Sequence, residues 1–358
     1  MPSPELWAVG RLVAGRAAEL ARQAEDEGWD GIGLPDSQCL VPELYAQLGV
    51  AAAVTTRLGL SSAVTNPWTR HPAVAAAAVA TLQAESGGRA VLGIGRGDSA
   101  LAYLGLAPAP VGLLADHLVQ VQGYLRGEDV PFAPAGDGPV RSVAGLGLAD
   151  VPEASRLRWL PPELPKVPVD VAGSGPRVLA LGARLAERVT LAVGLAPDRV
   201  RWAIDTVRRA RAEATGPLPA GELGIGVHAS VFVHRDRRLA RERVAASAAT
   251  FARYAVLHGT VAGPMGDSAR AVLHRVHDGY DMTDHATPGS AQSRLLSDDV
   301  VDAFAIAGPP GHCVERLQEL AELGVDRFHV LPPRAGPDPE EMEASRRLFV
   351  TSVLPQLR

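Results

Sequence analysis

Short runs of aliphatic and β-branched residues alternate with longer amphipathic segments along most of the chain. The runs are Leu6–Val9, Gly31–Leu34, Leu58–Val64, Ala90–Ile94, Val167–Ala172, Val189–Val193, Gly224–Val233 and Arg327–Leu331. Most are apolar at successive positions, the pattern of a strand covered on both faces. The segments between them carry helical periodicity, which predicts βαβ units and a parallel sheet. Eight such runs predict a closed (β/α)8 barrel, an α/β fold formed by residues 1–358 as one domain. An open doubly wound sheet built from the same units is the competing architecture.

Several helices follow from their end signals. Arg16–Glu27 places Leu20, Ala21 and Ala24 on one face and stops at Gly28, which suits a left-handed cap. Pro310 opens Gly311–Leu323 at the position where its missing N–H is harmless, and Gly324 closes it. Val314, Leu317, Leu320 and Ala321 form the buried stripe of that helix. The Ala-rich run Pro72–Leu82 is too short to span a bilayer and reads as a buried helix. Two stretches break the alternation: Gly127–Lys166, rich in Pro and Gly, and Gly259–Asp302, polar with His, Asp and Gly clusters. Both are expected to be insertions, candidates for loops that cover a substrate.

Composition narrows the partners. A chain of 358 residues with 47% hydrophobic and 21% charged residues can bury a large core. A net charge of −5 without a Lys/Arg block excludes the electrostatic footprint of nucleic-acid binding and makes anionic membranes poor partners. Lys166 is the only lysine, so an anion site must rely on arginine, backbone amides or helix ends. Cys39 and Cys313 form neither a disulfide framework nor a metal-binding pair, which predicts a reducing, cytoplasmic setting. Met1–Glu5 has no basic segment leading into an apolar run, so no signal peptide is expected.

A barrel of this kind builds its site from the loops that follow the strands. Those loops read Leu34-Pro35-Asp36-Ser37-Gln38-Cys39, Val64-Thr65-Asn66-Pro67-Trp68-Thr69-Arg70-His71-Pro72, Gly93-Ile94-Gly95-Arg96-Gly97-Asp98-Ser99 and Ala172-Gly173-Ser174-Gly175-Pro176-Arg177. In the last, glycines expose backbone N–H groups, Ser174 adds a hydroxyl and Pro176 opens an electropositive helix end, which suits a phosphate. Its plainer reading is a tight strand-to-helix connection. Gly95 and Gly97 permit a planar ligand to approach, Arg96 can pair with an anion and Asp98 can handle a proton; the plainer reading is a loop with an exposed ion pair. The glycine spacing is not the dinucleotide fingerprint. His71 reads as a helix cap, and His228 as either a packed histidine or a partner of Ser230 on the same strand face. The run His274, His277, Asp278, Asp281, Asp284, His285 matches no standard metal spacing, so no metal is expected. Neither a P-loop nor a nucleophile elbow is present in the sequence.

Three stretches carry a family resemblance: Val64-Thr65-Asn66-Pro67, Arg70-His71-Pro72-Ala73-Val74, and Ser86-Gly87-Gly88-Arg89-Ala90-Val91-Leu92-Gly93-Ile94-Gly95 ending in Gly97-Asp98. They lie between Gly28-Trp29-Asp30-Gly31 and Leu104-Gly105-Leu106, with later echoes at Ala172–Pro176 and Gly324–Phe328. The chain resembles the bacterial luciferase-like superfamily of flavin- and deazaflavin-dependent oxidoreductases. Within it, the look is closest to the methylenetetrahydromethanopterin reductase type that uses coenzyme F420.

The resemblance implies a dimeric barrel with the cofactor ring on its mouth and a non-prolyl cis peptide at Ala63–Val64. It implies that Asp36 and Ser37 approach the ring from the second strand, that Thr65 and Asn66 face it from the third, and that Gly95, Arg96, Gly97 and Asp98 meet the ring or its side chain. Gly173, Ser174, Gly175 and Pro176, with Gly194 after the sixth strand, would take the cofactor phosphate. Asp98 is the expected proton donor or substrate-orienting group, with Asp36 as a second catalytic candidate. The base histidine that some F420-dependent alcohol dehydrogenases place after the second-strand Asp is Ser37 here, which disfavours alcohol oxidation by that route. The implied activity is F420-dependent hydride transfer to or from a small organic substrate, with C=N or activated C=C reduction favoured. The alternatives are an FMN-dependent monooxygenase, served by a flavin reductase partner and using FMNH2 and O2, and a non-catalytic barrel that binds flavin or has lost it.

Overall fold

A computed structural model describes residues 3–10, 13–132, 142–332 and 338–358. The strands in chain order are β1 (Glu5–Val9), β2 (Gly31–Leu34), β3 (Gly59–Ser62), β4 (Ala90–Ile94), β5 (Val130–Pro131), β6 (Ala154–Ser155), β7 (Val169–Gly173), β8 (Arg188–Leu191), β9 (Gly224–Val233), β10 (Ile306–Gly308) and β11 (Arg327–Leu331). Eight of them pair in parallel, in the order β9-β11-β1-β2-β3-β4-β7-β8, and β8 pairs back onto β9 to close the barrel. The eight predicted runs are these eight strands, with ends moved by a few residues. The (β/α)8 barrel is observed, and the open sheet is excluded by the two ladders that close it, β1 on β11 and β8 on β9.

Local chemistry explains why the elements start and stop where they do. Helix Ala17–Asp26 buries Ala17, Ala21 and Ala24, and Gly28 follows at φ 87°. The Glu25 carboxylate accepts from the backbone N–H groups of Thr56, Arg57 and Leu58 and so ties that helix to the entry of β3. Pro176 and Pro310 each open a helix at its first turn, as expected. His71 caps Pro72–Glu85 by accepting from the Ala73 N–H, which is the plainer of its readings.

The two insertions separate to opposite fates. The described part of Gly127–Lys166 forms the β5–β6 hairpin and one turn of 3-10 helix. It leaves helix Val111–Leu125 and returns to β7, so it belongs to a helix-to-strand connection, and such connections lie at the barrel end away from the strand C-termini. Tyr124 and Ser155 hydroxyls hold it there at 2.8 Å. The expectation that this segment covers the site is corrected for its described residues, none of which lines the cavity reported below, while 133–141 lie outside the described residues. Gly259–Asp302 is helical where loops were expected, with Asp267–Asp278, Ala291–Arg294 and Asp298–Phe304. It is part of a longer excursion that starts after β9 with helix Arg237–Ala255 and ends at β10, which pairs in parallel with the last residues of β9. The crossover proper is helix Pro310–Glu322, leading into β11.

Small residues are demanded where strands meet bulky neighbours. A Cβ on Gly31 or Gly59 would lie 2.5 or 2.6 Å from the Trp7 ring, and one on Gly93 would lie 2.0 Å from the Ser62 carbonyl oxygen. Gly93→Ala is therefore expected to destabilise the barrel by about 1–3 kcal/mol through overpacking. Gly49→Ala, in the exposed interior of helix Leu44–Val54 with open space around it, is expected to stabilise by about 0.5–1 kcal/mol. Urea denaturation of the two variants measures both signs.

Candidate active site

The loops after the strands converge on a cavity of about 570 Å³ at the C-terminal face of the barrel, within the size range of cofactor pockets. β2 contributes Asp36 and Ser37, β3 contributes Ala63 and Val64, β4 contributes Gly95 to Asp98, and β7 contributes Gly173 to Arg177. The Ala63–Val64 peptide is cis, as the resemblance implied. Phe251, Tyr254 and Ala255 from helix Arg237–Ala255, followed by Leu257–His258 and Thr260–Gly263, close the opposite wall. His228 and Leu331 lie on the same lining. The start of the second insertion thus covers the cavity, as expected for it.

Most of the predicted site residues meet in this one place, and three do not. Ser37, Ala63, Val64, Gly95, Arg96, Gly97, Asp98, Gly173, Ser174, Gly175 and Pro176 all line the cavity, together with Asp36. Thr65 is buried and its hydroxyl donates to Asp36 Oδ2 at 2.6 Å. The Asn66 side-chain oxygen turns back to accept from the N–H groups of Trp68 and Thr69 at 3.0 Å. Gly194, at φ 91°, packs where a Cβ would come within 2.8 Å of the Ala303 carbonyl and the Phe304 ring. These three hold the wall from behind.

The two carboxylates are both engaged. Asp36 accepts from Thr65, from Gln38 Nε2 at 2.7 Å and from Arg70, whose other nitrogen reaches Glu43 at 2.6 Å. Arg70 in turn lies over the Tyr45 ring at 5.0 Å. Asp98 pairs with Arg253, a residue of the covering helix, and not within its own loop as the plainer reading had it. The Arg253 guanidinium sits 4.7 Å above the Tyr280 ring and 5.4 Å from that of Tyr254. Burial, then the Asp98 carboxylate, pushes the Tyr254 hydroxyl well above the ordinary phenol range, so it stays protonated at neutral pH. Asp98–Arg253 is therefore both part of the wall and the tie that holds the excursion over it.

The lip has the opposite sign. Arg96 is braced by the carbonyls of Ala109 at 2.5 Å and Pro108 at 3.4 Å, with His258 Nε2 at 3.0 Å. Burial and then Arg96 and Arg177 push the His258 imidazole below its ordinary value. Among the described residues no carboxylate pairs with Arg96 or Arg177. Helix Pro176–Leu185 starts beside them with no side-chain cap, and around Gly175 there is open space. Unpaired cations, free amides and a helix N-terminus make an anion cradle. Among the described residues no cluster of three or more His, Cys, Asp or Glu is arranged to hold a metal ion.

Arg253, Tyr254, Phe251, Trp202 and His258 were not singled out from the sequence. For Phe251, Arg253 and Tyr254 the signal was the buried stripe Ala240, Val244, Ala248, Phe251 and Ala255, which marks a helix but not the direction in which its last turn points. Trp202, on helix Pro197–Ala212, and His258 had none.

A family model described as luciferase-like monooxygenase matches residues 7–327. The chain belongs to that family. It is 27% identical to the 5,10-methylenetetrahydromethanopterin reductase of Methanolobus tindarius over 91% of this chain and 92% of that protein. It is 26% identical to the F420-dependent glucose-6-phosphate dehydrogenase of Microbacterium testaceum over 94% of this chain and 91% of that one. The coenzyme F420 dependent tetrahydromethanopterin reductase of Methanopyrus kandleri shares the fold with a TM-score of 0.72, at 23% identity and 100% coverage of both chains. Among the described residues no helix is long and apolar enough to cross a membrane.

Two expectations follow. Arg70→Met removes the cation beside the buried Asp36 and is expected to cost about 3–5 kcal/mol. Adding Asp36→Asn should recover part of that loss in a urea double-mutant cycle. Burial, aided by His71, pushes the His117 imidazole down to about 4, and burial, aided by His329, pushes that of His228 down to about 3. Unfolded histidine binds its proton near pH 6.5, so stability is full above that pH and falls as pH drops from about 6.5 toward 4. Melting temperature measured across that window should fall on acidification, and His117→Leu should flatten the slope; a flat wild-type profile would contradict this.

Proposed function

We propose that the chain is a coenzyme F420-dependent oxidoreductase acting on a small organic substrate, with reduction of a C=N or activated C=C bond favoured. The observation that carries this reading is the cavity itself: a bare wall of Ala63, Val64, Gly95 and Gly97 beside a cationic lip that has no carboxylate partner among the described residues. When bound, the deazaflavin supplies or accepts the hydride. F420 pairs a planar ring with an anionic phosphate-containing tail, which matches that division of the cavity. Curated relatives that span nearly the whole chain include an F420-dependent dehydrogenase.

The residues divide the work as follows. Ser37, Ala63, Val64, Gly95, Gly97 and Gly173 shape the slot for the ring, and Ser174, Gly175, Pro176, Arg96 and Arg177 take the phosphate. Asp36 lines the slot, and Thr65, Asn66 and Gly194 brace it from behind. Three donors already occupy Asp36, so in this reading it fixes the ends of β2 and β3 and Asp98 faces the substrate. Asp98 orients the substrate, because an ionised carboxylate only accepts hydrogen bonds and Arg253 supplies its counter-charge. Tyr254 offers a protonated hydroxyl beside it. Phe251, Trp202 and Val261 keep water out. The same reading assigns a cytoplasmic homodimer, with a flavin reductase partner only if FMN is the cofactor.

Titration of the purified protein with F420 and with FMN tests the proposal. F420 is expected to bind and FMN not to, and Arg177→Ala should weaken F420 about tenfold to a hundredfold by removing a charge-assisted contact. Binding of FMN alone would transfer the reading to the monooxygenase, and binding of neither would leave the non-catalytic barrel.

A further inference from the structure

The interior of a parallel barrel is ordinarily packed with branched aliphatic side chains, yet this one holds a column of titratable groups. Asp170 on β7, His329 on β11 and His228 on β9 are all buried. His329 and His228 are register partners on adjacent strands, with ring centroids 5.2 Å apart. His329 Nε2 stands 3.6 Å from Asp170 Oδ2, and Thr190 donates to that same oxygen at 2.8 Å. Below the column the barrel is plugged: Trp7 packs against His329 at 5.8 Å, Arg327 stacks on Trp7 at 4.2 Å and pairs with Glu5 at 2.7 Å, and Arg188 pairs with Asp326. Above it, His228 lines the cavity beside Phe251.

Buried polar atoms are nearly always hydrogen-bonded, because one left unpaired loses its hydration without compensation. Among the described residues, Asp170 Oδ1, His329 Nδ1, His228 Nδ1 and Ser230 Oγ have no hydrogen-bond partner, and His329 Nε2 has only the long contact to Asp170. So many open valences in one column point to bridging water along it and to a ligand at its upper end.

We propose that Asp170, His329 and His228 form a polarised column that presents an unprotonated imidazole nitrogen to the cavity floor, where it accepts a hydrogen bond from an N–H of the bound cofactor ring. Burial raises the Asp170 carboxyl, but His329 beside it, then Arg188 and Arg327, hold it down at about 2, so it is an ionised acceptor. The His329 nitrogen that faces it must carry the proton, which makes the other nitrogen of His329 an acceptor. A water bridged from there takes its second bond from His228 Nδ1–H, and His228 Nε2 is left bare toward the cavity. Burial, with the neighbouring His329, opposes protonation of His228. His228 is thus a positioning residue for the cofactor, and His329 and Asp170 act through it. This inference rests on the F420 reading of the cavity.

Long-range 15N-histidine NMR of the full-length protein tests the column without turnover. In the cofactor-free protein His228 is expected as the neutral Nδ1–H form, and F420 should shift its Nε2 resonance while leaving that of His117, buried in helix Val111–Leu125, unmoved. Asp170→Asn should release the tautomer, giving mixed His228 signals and about tenfold weaker F420 binding. An Nε2–H or doubly protonated His228 in the wild-type protein overturns the column whether or not a cofactor binds or the variant folds. F420 binding that leaves His228 unshifted overturns the contact but keeps the F420 reading; absence of F420 binding overturns that reading and the contact with it.

Discussion

Everything in this molecule depends on the closure of one parallel sheet. The ladder of β1 on β11, with Glu5 opposite Arg327 and Ala8 opposite Val330, joins the chain's first strand to its last. Closure with β8 on β9 leaves the barrel proper without a free edge. Because all eight strands run the same way, every strand-to-helix loop emerges at one rim and every helix-to-strand loop at the other. This single directional constraint gathers Asp36, Val64, Arg96, Asp98 and Ser174 from four distant stretches of sequence around one cavity. It also sends the two insertions to different ends of the barrel.

The rim is held by charge pairs that reach across elements. Asp36 gathers donors from Gln38, Thr65 and Arg70, which locks the ends of β2 and β3 together. Asp98 and Arg253 lock the end of β4 to the helix that covers it. Each pair is half-shielded or buried, where breaking one partner costs far more than a surface pair would. The cationic lip shows the complementary arrangement, since Arg96 is braced by backbone carbonyls and lies near Arg177, with no carboxylate pairing either among the described residues. Arg70 and Arg253 are each paired with a carboxylate of the rim, whereas Arg96 and Arg177 have none among the described residues.

The barrel was legible because it is written in local patterns. A strand covered on both faces must be apolar at successive positions, and the runs at Ala90–Ile94 and Gly224–Val233 say so without any tertiary knowledge. Pro176 and Pro310 mark helix starts for the same local reason, a fixed φ and a missing N–H. The glycine-rich strand ends predicted their own meeting at one rim, where Gly95, Gly97, Gly173 and Gly175 line one cavity. Gly259–Asp302 was misread because its three helices are short and separated by polar turns, so no periodicity accumulates.

The sequence by itself determined the strand count, the sense of the sheet and the rim on which polar chemistry collects, because these follow from residue-to-residue patterning. The tertiary structure alone decided what the polar groups do. Whether Asp98 is free or clamped depends on Arg253, more than a hundred positions away, and whether His228 is core or lining depends on Asp170 and His329 arriving on other strands. Charge state, tautomer and exposure are properties of neighbourhoods, and barrel closure makes neighbours of residues that the chain keeps far apart.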